Sequence, residues 1–182
     1  NSYWTHNDSG DKPWLYELDV EGHLKRKMMI AGVNAMDIED IAMQDTSYVY
    51  VGDFGNNKNE RKELLIYKIK QKDLYAVAPS VKPEIIKFSY PDQKLFPPDE
   101  AYRNFDCEAM FWFKGKLYLF TKNRGGSGYT KCYSIPDKPG KYKAKGIDSF
   151  LTGNWVTAAD ISPNQKKVAL LCGCLLYTSD AA

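Results

Sequence analysis

The sequence predicts an all-β protein, a partial β-propeller of four-stranded antiparallel blades. Three observations predict it. The stretch from Asp37 to Lys68 reads as strand, strand, polar turn and strand: 37–42, 48–51, 52–57 and 64–67. A degenerate copy follows, with strands at 106–110, 116–120 and 129–135 and a polar turn at 121–126. Third, the segments 4–10, 51–57 and 120–126 each end a strand in a Gly/Asn-rich loop. Strands at regular spacing, broken by turn residues, are the signature of repeated sheets.

In chain order, Tyr3 begins a strand that ends in the turn cluster Asn7-Asp8-Ser9-Gly10, and Trp14 to Leu18 alternates as the next strand. Asp19 to Gly22 connects it to a charged outer strand, Leu24 to Ile30. A helix over 21–40 is disfavoured by Gly22, Gly32 and Val33 and by the lack of a sustained 3.6-residue stripe. Residues 71–84 read as a connector with room for a short strand start, closed by Ala78-Pro79 and Lys82-Pro83, with Glu84 to Tyr90 the outermost strand of that unit. Pro91, Pro97 and Pro98 then exclude regular structure over 91–102. The second unit has strands at 106–113, 116–121, 129–135 and about 142–150, and a third opens with 154–161 and 167–171.

The innermost strands are unevenly spaced, by 69 residues from Asp37 to Asp106 and 51 from Asp106 to Thr157, so a β-sandwich stays open on pattern alone. In the propeller reading the chain carries the second to fourth strands of one blade, two whole blades and half of another. A ring needs at least four blades, so residues 1–171 read as part of a larger propeller whose partners include the remaining blades of the same polypeptide.

Bulk properties exclude some functions. The formal net charge is +2, with 25 Lys+Arg against 23 Asp+Glu, which gives no steering towards nucleic acid. No apolar run is long enough for a membrane span. Asn1-Ser2-Tyr3-Trp4 is no leader, and since the chain starts without Met this says nothing about export. The 13 tyrosines suit pleated surfaces with one packed face and a wet hydroxyl. Cys107, Cys132, Cys172 and Cys174 form no disulfide scaffold, and Cys107 reads as a small buried hydrophobe.

The repeated segments at 4–10, 37–42 and 51–57 resemble the six-bladed propeller-like domains of secreted or cell-surface proteins of the Bacteroidetes group. That resemblance implies a propeller and export, and implies no activity. The acidic inner strands also look distantly like those of calcium-bearing propeller phytases and sugar or lactone hydrolases. The tail, 172–182, resembles translated sequencing-adapter read-through and reads as non-native.

Asp37 and Glu39 share one strand face, as do Asp106 and Glu108; Asp160 is one position out of register, equivalent to Asp40. Converging at a channel mouth, these carboxylates would suit a hard cation such as Ca²⁺, which takes about six to eight oxygens. Equally, they would accept hydrogen bonds between blades. Asp8, Asp53, Asn56, Asn57 and Asn123 sit in loops on the presumed same face, as ligand contacts or as turn formers. Asn7-Asp8-Ser9 matches a glycosylation sequon, and His6, Asp8 and Ser9 are too close in sequence for a triad. Trp4, Trp112 and Trp155 either stack sugars or fill inter-blade core. The function these features favour is an extracellular binding or scaffolding module for a protein, glycan or small molecule. The alternatives are a calcium-dependent phosphate-ester or ester hydrolase and a purely structural part of a surface protein.

Overall fold

The computed structural model describes residues 2–8, 10–173 and 175–180. Ser9 and Cys174, singled out above, lie outside them. The chain is a partial β-propeller. Its first sheet comprises β1 (Tyr3–His6), β2 (Trp14–Leu18) and β3 (Leu24–Ile30). The second is built from β4 (Ile38–Gln44), β5 (Tyr48–Asp53) and β6 (Leu64–Lys70), followed by the one-turn helix α1 (Gln71–Leu74), the short β7 (Ser80–Val81) and the outer strand β8 (Glu84–Ser89). The third runs through β9 (Asp106–Phe113), β10 (Lys116–Lys122) and β11 (Tyr129–Pro136), then β12 (Gly140–Lys143) and the outer strand β13 (Lys145–Leu151). Last come β14 (Val156–Ile161), β15 (Lys167–Cys172) and β16 (Leu175–Asp180).

Burial follows from this stacking. Apolar residues fill the spaces between neighbouring sheets. Leu15, Met28 and Ile30 of the first sheet pack on Val49, Val51, Tyr67 and Ile69 of the second. The other face of the second sheet, with Phe54, Leu64, Ile66 and Phe88, packs on Met110, Leu117, Leu119 and Ile135 of the third. Phe111, Phe113 and Phe120 then meet Val156 and Leu170 of the fourth. Alternation therefore sends Ile66 to one layer and its neighbour Tyr67 to the other. β4, β9 and β14 are each the first strand and one edge of their sheets. They lie side by side in space, and the Asp40 carboxylate on β4 accepts the Met110 amide of β9 at 2.7 Å. That is the radial arrangement expected from the sequence, with 37–42 and 106–111 innermost.

The edges differ from expectation in one repeated way. β7 adds in parallel to β3, pairing Met29 with Ser80 and Ile30 with Val81. β12 likewise adds in parallel to β8, pairing Gly140 to Lys143 with Ile86 to Ser89. Each is a short strand lent by the connector between the third and fourth strands of one sheet to the outer edge of the sheet before it. So the 71–84 connector does hold a short strand, preceded by a one-turn helix, and the strand expected at 142–150 is two strands serving different sheets. The break falls at Ala144, whose amide turns to the Ser89 carbonyl at 3.0 Å. The run Lys-Tyr-Lys-Ala-Lys hides it, because a change of partner leaves no mark on local alternation. Within the proline-rich 91–102 there is one 3-10 turn, Glu100–Tyr102. Cys107, Cys132 and Cys172 are buried free thiols. Among the described residues no helix is long and apolar enough to cross a membrane.

Phe54 turns back under Gly52 at the end of β5 and is fully buried; a Cβ on Gly52 would lie 2.0 Å from its ring. Gly52→Ala must displace that ring, and overpacking of this kind costs about 1–3 kcal/mol. Urea unfolding should show the midpoint fall with the slope unchanged; an unshifted midpoint would show that the ring moves without cost.

Candidate functional site: an acidic channel mouth

One end of the propeller axis gathers the starts of the inner strands and the loops that follow β1, β5 and β10. Asp37 directly precedes β4, Asp106 opens β9, and Trp155 directly precedes β14. The shared strand face expected for each acid pair does not hold. Glu39 and Glu108 each fall at a β-bulge, where the two-residue period slips, and it is this extra residue that brings them to the mouth beside Asp37 and Asp106. Asp8, beyond β1, completes the group: one carboxylate oxygen from each of Asp8, Asp37 and Glu39 lies within 4.8 Å of the others. Gly55 makes this approach feasible. A Cβ there would sit 2.3 Å from Asp37 Oδ2 and 2.4 Å from Glu39 Oε1, so only a bare backbone can floor the two carboxylates. Asn57 Nδ2 donates to Asp37 Oδ2 at 3.1 Å, while Asp37 Oδ1 is buried without a hydrogen-bond partner.

The second pair of acids is handled differently. Asp106 is fully buried, accepts the Asn56 amide at 2.6 Å and takes Arg124 Nε at 2.7 Å. Glu108 receives Lys122 Nζ at 3.0 Å and Arg124 Nη2 at 3.3 Å. Arg124 also donates to Asn57 Oδ1, which links the two acid pairs. Both cations lie near the half-exposed Trp155 indole, at 5.2 Å for Lys122 and 5.4 Å for Arg124, a cation–π contact. Asp106 and Glu108 thus sit in ion pairs, whereas Asp8, Asp37 and Glu39 crowd together.

That crowding shows in the proton affinities. Burial, then the charges of Glu108, Asp37, Asp8 and Asp106, push the Glu39 carboxyl up to about 9. Burial and Asp106 raise Glu108 to about 7 against the pull of Lys122. Burial and the charges of Asp8 and Asp106 also raise Asp37. Asp40, behind the site, is lifted by burial to about 7 while holding the Met110 and Ile41 amides. At neutral pH the mouth therefore favours taking up positive charge, as a proton or a cation.

Of the remaining residues singled out by sequence, several face elsewhere. Asp53 is fully buried and organises the turn, accepting the Met36 and Asp37 amides, Arg61 at 3.1 Å and the Tyr67 hydroxyl at 2.7 Å. Asn56 ties Phe105 O and the Arg61 amide, and Asn123 braces Ser127, Tyr129 and Gly125. These three hold loops. Asp160 accepts its neighbour Ile161's amide at 2.7 Å and faces a cleft of about 480 Å³ beside Ala42, Met43 and Trp112, past the C-terminal half of β4. Its charge adds to the rise at Asp40, but the strand registers align Asp160 with Ala42 and Phe111 instead of Asp40. Trp4 lies edge-on to Tyr75 in the same cleft. Sequence reasoning missed Lys122, Arg124 and Gly55. The readable signal was a pair of cations flanking Asn123, in a loop already recognised as equivalent to 51–57.

Comparison with known proteins adds the fold. No family model matches the chain, and no curated sequence matches it. Over 98% of its length it is similar to the hydrazine synthase of Kuenenia stuttgartiensis, with a TM-score of 0.50 at 12% identity, spanning 42% of that chain. An RS223-β-xylosidase gives 0.48 at 14% identity, with 98% of this chain and 69% of that one covered. A protein of unknown function from Bacteroides caccae gives 0.44 at 12%, covering 89% and 47%. The likeness is one of fold.

Because the folded state binds a proton at Glu39 more tightly than the unfolded chain does, the contribution of Glu39 to stability falls as pH climbs from about 4.5 to about 9. Glu39→Gln removes that penalty. Melting temperatures of parent and variant should agree near pH 4, with the variant the more stable at pH 9; the reverse order at pH 9 would show that Glu39 is not held protonated.

Proposed function

We propose that the chain is a binding module of an extracellular or cell-surface propeller, and that its ligand meets the acidic channel mouth through a divalent cation held by Asp8, Asp37 and Glu39. The observation that carries this reading is the convergence of three carboxylates within 4.8 Å around Asp37, whose buried Oδ1 has no partner. The donor set suits Ca²⁺: it is all oxygen, its members are carboxylates, and Gly55 leaves a cradle that any side chain would fill. Bound Ca²⁺ would supply positive charge to which an oxygen of a protein, glycan or small-molecule ligand could add. The chain's own residues set the rest. Asp106 and Glu108, paired with Arg124 and Lys122, leave the cation site to the other three acids, and Asn57 and the Trp155 ring edge the approach. Export and surface location rest on the sequence resemblance alone.

Calcium chloride titrated into the chelator-treated chain should release or absorb measurable heat. At a concentration ~100-fold above Kd it should stabilise the fold by about 2.7 kcal/mol. Asp37→Asn should abolish both effects and Asp160→Asn neither. Absence of heat together with an unmoved melting temperature would overturn the cation site. Turnover of a phosphate or carboxyl ester that disappears with chelator would replace the binding reading by calcium-dependent hydrolysis.

A further inference from the structure

Among the described residues, the outer strands of two sheets are closed by a borrowed strand and that of a third is not. β3 is closed by β7 and β8 by β12, each in parallel and each drawn from the connector between the third and fourth strands of the adjoining sheet. Their hydrogen bonds are ordinary ladder bonds, Met29 N to Pro79 O at 3.1 Å and Ala31 N to Val81 O at 2.8 Å in the first case. The two clips share a composition. A proline stands at or just before the start (Pro79, Pro139), one larger apolar side chain turns inward (Val81, Tyr142), and its neighbours are polar. The core-facing side chains of the clipped strands, Met28, Ile30, Ile86 and Phe88, are buried between neighbouring sheets, and each clip adds its own side chain to the same layer.

β13 occupies the same place in the third sheet, and among the described residues no strand pairs with its outer side. Phe150 packs towards the fourth sheet, whereas Ile147 and Leu151 are bare, at 47% and 61% exposed. An open edge with exposed apolar side chains is a template for further pairing, which folded proteins ordinarily cover.

We propose that the outer edge of β13 is a docking edge for a third parallel clip, and that its occupant is the connector leading from the third to the fourth strand of the adjoining blade of the same polypeptide. Such a segment is short and extended, begins at a proline, and turns one apolar side chain onto Ile147 and Leu151. The two clips already in place carry the assignment, since both are supplied from that position and in that direction.

The probe is an N-acetylated, C-amidated peptide copying residues 137–144 (Asp-Lys-Pro-Gly-Lys-Tyr-Lys-Ala), added to the chain while amide exchange is followed residue by residue. Slowed exchange over 145–151, at peptide concentrations on the order of millimolar as expected for a clip detached from its tether, supports the assignment. A peptide carrying Tyr142→Ser should bind about tenfold more weakly, having lost the ring that packs half-buried against the core. The double variant Ile147→Lys, Leu151→Lys should lose the protection while keeping its melting temperature, because both side chains face solvent. Protection confined to 84–89 would mean that the peptide only replaces β12 and would overturn the proposal, as would no protection at any amide or equal binding by the serine peptide.

Discussion

The structure depends on sheets that are apolar on both faces. A strand such as β9, buried along almost its whole length, cannot sit on a two-layer sandwich with one face in water; it needs a sheet on either side. Repeating that requirement from sheet to sheet places them one after another about an axis, first strands together. The channel mouth is a by-product. Once β4, β9 and β14 converge, whatever precedes them converges too, and here that means Asp37, Asp106 and Trp155.

Electrostatics at the mouth then divide the acids into two groups with different fates. Arg124 and Lys122 neutralise Asp106 and Glu108, so the third sheet carries its own counter-charges. The second sheet does not repeat the device in its loop. Arg61 of that loop lies against Asp53, where it fixes the turn and reaches the Gly55 carbonyl at 2.7 Å. Buried like charges in close contact are costly. Glu39 meets that cost by holding its proton, and the crowding is what gives a cation a thermodynamic reason to enter.

Much of this was legible in the sequence, for reasons that can be named. Inner strands were readable because an acid pair recurs at their starts, Asp37 with Glu39 and Asp106 with Glu108; the bulge that each pair spans leaves no mark in the sequence. The three polar loops were readable because Gly and Asn recur at strand ends. What stayed hidden depends on partners distant in the chain. Lys141 to Lys145 look like one solvated strand, yet Tyr142 packs on the core between the second and third sheets while Lys145 belongs to the next strand. Asp53 and Asn56 look like ligand-face residues because turn formers and ligand contacts share a vocabulary; only burial separates them from Asp8 and Asn57. Asp160 was matched with Asp40 by counting residues, but the bulges align it with Ala42 and Phe111, two residues further along the strand and beside the far cleft.

The borrowed strands β7 and β12 also bear on the order in which the chain can fold as it is made. In most repeat proteins each unit finishes before the next begins, and stability adds up along the array. Here the first sheet is not closed until Val81 has been synthesised, and the second waits for Lys143. Neighbouring repeats are thereby laced together. Loss of one would unravel the margin of the one before it, and unfolding should propagate backwards along the polypeptide instead of stopping at a boundary.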